Sequence, residues 1–357
     1  MKTGIANLPL HYGKAPAWLF GRMSQLSREI SLVIAREFGG DEFLNRLSDP
    51  FWFQAFGCIL GFDWHSSGLT TTVCAALKEG LKDISADTGI FVCGGKGAAS
   101  RKTPVEIRNI AGRRLIKDSP ERLIYSSRMS AKVDSTALQD GYQLYHHCFI
   151  FTQEGNWTVI QQGMNTQTRW ARRYHWLGKQ VNDFVCEPHK AICCDQKSKV
   201  LNMVAAESSN CRSISASLAG EKPEKVVGEF TRIQQLSLSS HHAVSLDDIK
   251  AQNLKKILQK TYERKPHNFE ALLGIEGVGP KTIRALSLIS ELVYAKPASF
   301  KDPVRFSFAH GGKDGHPYPV AKKEYDLSIG ILRNALNQAK IGRSDKLAAL
   351  RRLNNLL

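Results

Sequence analysis

The chain has 357 residues, 42% of them hydrophobic and 23% charged, a composition that excludes a disordered polymer and is long enough for more than one core. Forty-nine lysines and arginines against 33 acidic residues leave a net charge of +16, so polyanions are the expected partners, DNA first and RNA second. Neither an apolar leader after Met1 nor a run of about 18 apolar residues occurs, so no membrane partner is expected and the expected location is cytoplasmic.

Residues 15–38 place Leu19, Met23, Leu26, Ile30, Val33 and Ile34 near a 3.6-residue period and close on Gly39-Gly40, which predicts an amphipathic helix. Asp49-Pro50 opens a second helical segment to Leu60, and 67–81 predicts a third, with Ser67 as its capping residue. Gly89 to Gly97 is a short buried strand running into Gly94-Gly-Lys-Gly97, followed by Arg101-Lys102. That loop offers donors to a phosphate but departs from Walker spacing, so no nucleotide cofactor is expected. Tyr142–Thr152 and Trp157–Gln162 flank Gln153-Glu-Gly-Asn156 and predict a β-hairpin; a two-residue turn at Glu154-Gly155 would pair His147 with Gln162. Val200–Val204 suggests another short strand. The serine-rich stretch 214–246 is expected as a polar linker with a helix-like stretch within it, and 247–264, 269–273, 280–294 and 326–357 carry helical periodicity. The expected fold class is α+β: a mixed N-terminal domain with a hairpin-containing sheet over 1–213, the linker, then an all-helical domain over 247–357. Eight cysteines lack paired spacing and are expected as small core residues.

Leu272-Leu-Gly-Ile-Glu-Gly-Val-Gly-Pro-Lys-Thr-Ile-Arg-Ala-Leu286 reads as two helices joined by Gly277-Val278-Gly279, with Pro280 opening the second. Glycines on either side of Val278 suit positive φ and close approach to a sugar-phosphate, and the N-terminus of the second helix presents free N–H groups to an anion. Lys281, Thr282 and Arg284 add donors beside it. The segment resembles the helix-hairpin-helix family, which implies a grip on DNA backbone that does not read sequence. In glycosylases of that family with lyase activity, a Schiff-base lysine matches Lys281 and a catalytic aspartate follows near Asp302; the context Phe300-Lys-Asp-Pro departs from that family's pattern.

His11-Tyr-Gly-Lys-Ala-Pro16, Gly61-Phe-Asp-Trp-His-Ser-Ser-Gly68, Gly94-Gly-Lys-Gly97, Gln139-Asp-Gly-Tyr-Gln-Leu-Tyr-His-His147 and His310-Gly-Gly-Lys-Asp-Gly-His-Pro-Tyr-Pro319 are similar to the DUF763 family, which implies an architecture but no reaction.

The densest titratable cluster is Lys132, Asp134, Asp140 and His146-His147. Adjacent histidines point to opposite faces of a strand, so one of them, His147 by the expected register, joins the carboxylates. Asp134, Asp140 and His147 would then hold a divalent metal, Mg or Mn, with Lys132 offsetting phosphate charge: a metal-dependent nuclease. Asp63 and His65 form a second candidate catalytic pair. Arg169-Trp-Ala-Arg-Arg-Tyr-His-Trp176 interleaves cations with aromatics and nominates Arg172 and Arg173 for nucleic-acid contact. The competing readings are a glycosylase/lyase acting through Lys281 and a non-catalytic DNA-binding repair scaffold.

Overall fold

The computed structural model describes residues 15–62, 67–113, 115–194, 196–235, 246, 248–304 and 322–354. Helices α1 (Ala17–Phe38), α2 (Gly40–Ser48), α3 (Pro50–Leu60), α4 (Gly68–Leu81) and the single turn α5 (Ser85–Thr88) come first. Strand β1 (Ile90–Lys96), helices α6 (Thr103–Gly112) and α7 (Pro120–Lys132), and strands β2 (Leu138–Gln139), β3 (Gln143–Thr152), β4 (Trp157–Asn165), β5 (Trp170–Leu177), β6 (Ala191–Cys193) and β7 (Leu201–Asn202) follow. The rest is helical: α8 (Ser209–Ala219), α9 (Pro223–Gln234), α10 (Ala251–Arg264), α11 (Phe269–Gly274), α12 (Pro280–Tyr294), α13 (Lys322–Gln338) and α14 (Arg343–Asn354).

The fold is α+β. Five strands form one antiparallel sheet in the order β1-β3-β4-β5-β6, and β2 pairs separately with β7. Both faces of the sheet are covered, so β3 to β5 are buried almost without alternation, their polar residues included. On one face Ile90, Cys148, Ile150, Ile160 and Leu177 meet the N-terminal helices; on the other Phe91, Phe149, Phe151, Val159 and Trp176 meet α6, α7 and the core that continues through α8–α12. Asp49 caps α3 by accepting from the Trp52 N–H at 2.7 Å, as its position before Pro50 suggests. Ser67 makes no side-chain capping bond to α4; its carbonyl accepts from Gln162 instead.

Three expectations change. The hairpin loop spans Gln153 to Gly155 with Gly155 at φ 85°, so Thr152 closes on Asn156 and the register moves by one: His147 faces Gln161, and His146 faces Gln162. The expected linker instead contains α8 and α9 through residue 234, with Leu218, Ala219, Val226, Phe230 and Ile233 buried, while 236–245 lies outside the described residues. The C-terminal helices also part company: α10–α12 join the core beneath α7, whereas α13 and α14 pack on α1 and α3. Arg352 of α14 donates to the Ile59 carbonyl at 2.7 and 3.0 Å, satisfying an end carbonyl of α3. No described helix is long and apolar enough to cross a membrane.

Candidate functional site

A short π-type turn, Val133–Ala137, ends α7 and drops Asp134 into the core below the sheet. Its Oδ2 accepts from Gln161 Nε2 at 2.6 Å and Trp176 Nε1 at 3.0 Å, and its Oδ1 accepts from His189 Nε2 at 2.5 Å. Because a carboxylate only accepts, the Gln161 amide nitrogen faces Asp134 and its oxygen faces His147 Nδ1, 2.9 Å away. His147 Nδ1 therefore carries the proton, and Nε2 accepts from Ser127 Oγ at 2.8 Å. Register and buried polarity thus connect Ser127, His147, Gln161, Asp134 and His189 in one chain.

Asp140 belongs to a different cluster. It accepts from the Tyr142 N–H at 3.0 Å, from Tyr174 Oη at 2.7 Å and from Arg172 Nη1 at 3.0 Å. Burial pushes its carboxyl above the ordinary range against the pull of Arg172 and Tyr174. Arg172 also grips Asp302 through both terminal nitrogens, at 3.1 and 2.8 Å, and lies 4.6 Å over the Tyr142 ring.

The expected metal set is accordingly not brought together: the oxygens of Asp134 and Asp140 each serve other donors, and no group of three or more metal-capable side chains forms among the described residues. These residues do not fit one coordination shell. Lys132 is not beside the carboxylates either. Its ammonium reaches the Val278 carbonyl, tying α7 to the α11–α12 turn, and half-burial lowers its pKa. His146 lies on the opposite face, and neither ring nitrogen has a hydrogen-bond partner among the described residues. Asp63 and His65 lie outside the described residues.

The basic strand segment also reads differently in three dimensions. Arg172 and Arg173 are fully buried, Arg173 donating to Gln54 at 3.0 Å and Thr70 at 3.3 Å and stacking 4.9 Å from the Phe53 ring centroid. Trp176 is buried as well, so this segment presents no ladder of cations and rings to a nucleic acid. Sequence reasoning missed Arg173's apolar surroundings because both sheet faces were not known to be covered.

At the helical turn, Leu273, Ile275 and Val278 are buried as expected, and Gly277 has φ +91°. Gly279 does not share that conformation: it is extended, φ −134° and ψ −175°, and is the N-cap of α12 without any side-chain cap. Thr282 is buried, while Lys281 donates to the Asp248 carbonyl at 2.8 Å and Arg284 to Asp248 Oδ2 at 2.9 Å. The Lys260 ammonium, not anticipated from sequence, stands 4.0 Å from where a Cβ on Gly277 would sit. The lysine spacing on α10 is the signal that would have found it.

The family model for proteins of unknown function, DUF763, matches residues 4–320. The chain belongs to the DUF763 family. No curated protein and no solved structure matches it. For this DUF763 protein, then, function must be read from the two arrangements above.

Buried histidines make the fold acid-sensitive. Burial pushes His146 down to about 3, with His147 and Lys96 nearby adding to the effect; burial likewise lowers His147, against Gln161 and Asp134, and drops His175 well below its ordinary value, with Arg173 acting in the same direction. The unfolded chain protonates these rings near pH 6.5 while the folded chain resists, so stability is present above that pH and is lost as pH falls. Asp140 opposes this by at most one proton, because its raised folded pKa makes the folded state the better acceptor. Between pH 6 and 5 the unfolding free energy should fall, by up to about 1.4 kcal/mol for each ring that stays neutral in the folded chain. Urea midpoints across that range check this; a flat profile contradicts it.

Proposed function

We propose that this protein binds DNA by holding the sugar-phosphate backbone at the turn between α11 and α12, acting as a helix-hairpin-helix element without reading sequence. Gly279 is the observation that carries this reading. Its extended backbone suits any residue, and a Cβ there would meet nothing closer than 3.9 Å, so no internal packing calls for glycine. A side chain would instead cover the outside approach to the uncapped N–H groups that open α12. Lys260 and Lys281 supply charge on either side, and the chain's +16 favours the encounter.

Cleavage by a Lys281 lyase or by the expected metal set finds less support. Lys281 is paired to Asp248 and Asp302 to Arg172, so the lysine and aspartate of a lyase are each engaged by a separate partner. The divalent-metal nuclease has its ligands in two clusters.

Gly279→Leu tests the grip. Because the fold tolerates a side chain there, thermal stability should stay within about 1 kcal/mol of wild type. Affinity for two unrelated duplexes, read by fluorescence anisotropy, should fall about tenfold or more for both, a loss of about 1.4 kcal/mol. Lys281→Ala should reduce the salt slope by about 1, whereas Asp248→Asn, which frees Lys281 and Arg284 from an internal carboxylate, should tighten binding several-fold. Wild-type affinity in Gly279→Leu would leave the turn as a packing device only.

A further inference from the structure

A cavity of about 390 Å³ opens between the turn at 97–102, the start of α6, α7 and the outer part of β3. Ser127, His147 and Gln161 form its inner wall, and Arg101 and Arg128 are exposed at its rim. We propose that this cavity is a catalytic site for phosphate esters in which Ser127 is the nucleophile and His147 its general base.

Four observations carry it. First, a buried helical serine ordinarily returns its hydroxyl proton to a carbonyl of its own helix, as Ser130 does to the Ser127 carbonyl at 3.1 Å. Ser127 bonds His147 instead, at 2.8 Å, and both residues line the cavity. Second, the imidazole tautomer is set from behind: Asp134 orients Gln161, Gln161 accepts the Nδ1 proton, and Nε2 is left with its lone pair toward the hydroxyl. This is the arrangement that turns a serine into a nucleophile, with Gln161 and Asp134 in positioning roles. Burial favours neutral His147, the form a general base needs. Third, Arg101 and Arg128 line the cavity at exposed positions, so its rim offers guanidinium charge to an anion. Fourth, the opening turn of α6 borders the cavity through Thr103 and Pro104, adding the positive end of a helix where phosphoryl oxygens would lie.

The chemistry closes without a further reagent. The Ser127 Oγ–H proton passes to His147 Nε2 as the oxygen attacks phosphorus. The bond from phosphorus to the leaving oxygen breaks, and that oxygen takes the proton from His147. Water then repeats the sequence: it gives a proton to Nε2, attacks phosphorus, and releases Oγ, which recovers the proton. The site does not depend on the hairpin reading, although α7 carries both, with Ser127 and Lys132 about 7.5 Å apart along its axis.

Bis(p-nitrophenyl) phosphate in EDTA is the probe. Wild type should release nitrophenolate with a burst, and intact-protein mass spectrometry should show a phosphoryl adduct that maps to Ser127. Ser127→Ala should lose adduct and turnover, and His147→Ala should lower kcat about 10³-fold. Arg128→Ala, at an exposed position, should raise KM several-fold with kcat little changed. Asp134→Asn should lower kcat and shift the acid limb of its pH profile. Turnover of this probe and anisotropy with duplex DNA are read on the same wild-type sample, so failure of the hairpin proposal and failure of this one are separable. Absence of turnover, turnover only with added Mg²⁺ or Mn²⁺, or turnover retained in Ser127→Ala overturns the assignment.

Discussion

Truncating Arg172 to alanine should destabilise the fold by about 3–5 kcal/mol at pH 7, a large part of the about 5–15 kcal/mol available to a domain. The guanidinium is fully buried and serves Asp140 and Asp302, whose side chains are only 1% and 4% exposed. It also donates to the Gln196 carbonyl at 3.1 Å. Without it two carboxylates remain in the interior with too few donors, and the free-energy penalty of their burial is uncompensated. Burial already holds Asp140 above the usual carboxylate range, and losing Arg172 removes the chief pull in the other direction. A carboxyl with a raised folded pKa costs stability that is complete above that pKa and vanishes below the unfolded value of about 4, so the deficit of Arg172→Ala relative to wild type should shrink at pH 4. Urea unfolding of both proteins at the two pH values measures it; a deficit below about 1 kcal/mol at pH 7 would show the network to be dispensable. Arg172→Lys should recover little, since one ammonium cannot reproduce a fork shared by two carboxylates.

Gly94→Ala should be comparably severe, costing about 4 kcal/mol or more or abolishing soluble expression. Gly94 lies in β1 at φ +89°, and a Cβ there would overlap the His147 carbonyl oxygen and stand 2.7 Å from Thr103 Oγ1. The backbone cannot relax easily, because the Gly94 N–H donates to Glu106 Oε2 at 2.7 Å and its carbonyl accepts from Lys78 at 2.8 Å. Gly97→Ala is the internal comparison. Its φ is +60° but nothing lies within 4 Å of a Cβ, so it should cost only about 1 kcal/mol of dihedral strain. Equal losses at the two positions would mean that backbone conformation, rather than collision, governs this loop. Gly94 thus has an internal reason to be glycine, independent of any phosphate.

Much of the fold was readable because its signals are local. Helical periods in 15–38 and 280–294, the Asp49-Pro50 start and the 142–162 hairpin are written in neighbouring residues, and all appear as elements. Long-range assembly was not readable. Ser-rich composition at 214–246 suggested a linker, yet a few apolar residues at helical spacing sufficed to bury α8 and α9. Helical periodicity in 326–357 could not tell that α13 and α14 return to α1 and α3.

The candidate site divides along the same line. The polar crowding around His147, Asp134 and Gln161 was visible in sequence, but their partnerships depended on one residue of hairpin register. An extra loop residue exchanged Gln162 for Gln161 opposite His147 and thereby chose the glutamine that the relay includes. Ser127 drew no attention as one serine among several on α7 and acquires meaning only when β3 is laid against that helix. Arg172 and Arg173 were misassigned for a related reason: charge beside aromatics looks the same in one dimension whether it faces solvent or core. By itself the sequence determined the family, the basic charge, the α+β class and the turn at Gly277-Val278-Gly279. Tertiary structure alone decided which polar groups meet, because hydrogen-bond chemistry requires contact within about 3 Å, and only the packed sheet brings Ser127, His147, Gln161 and Asp134 within it.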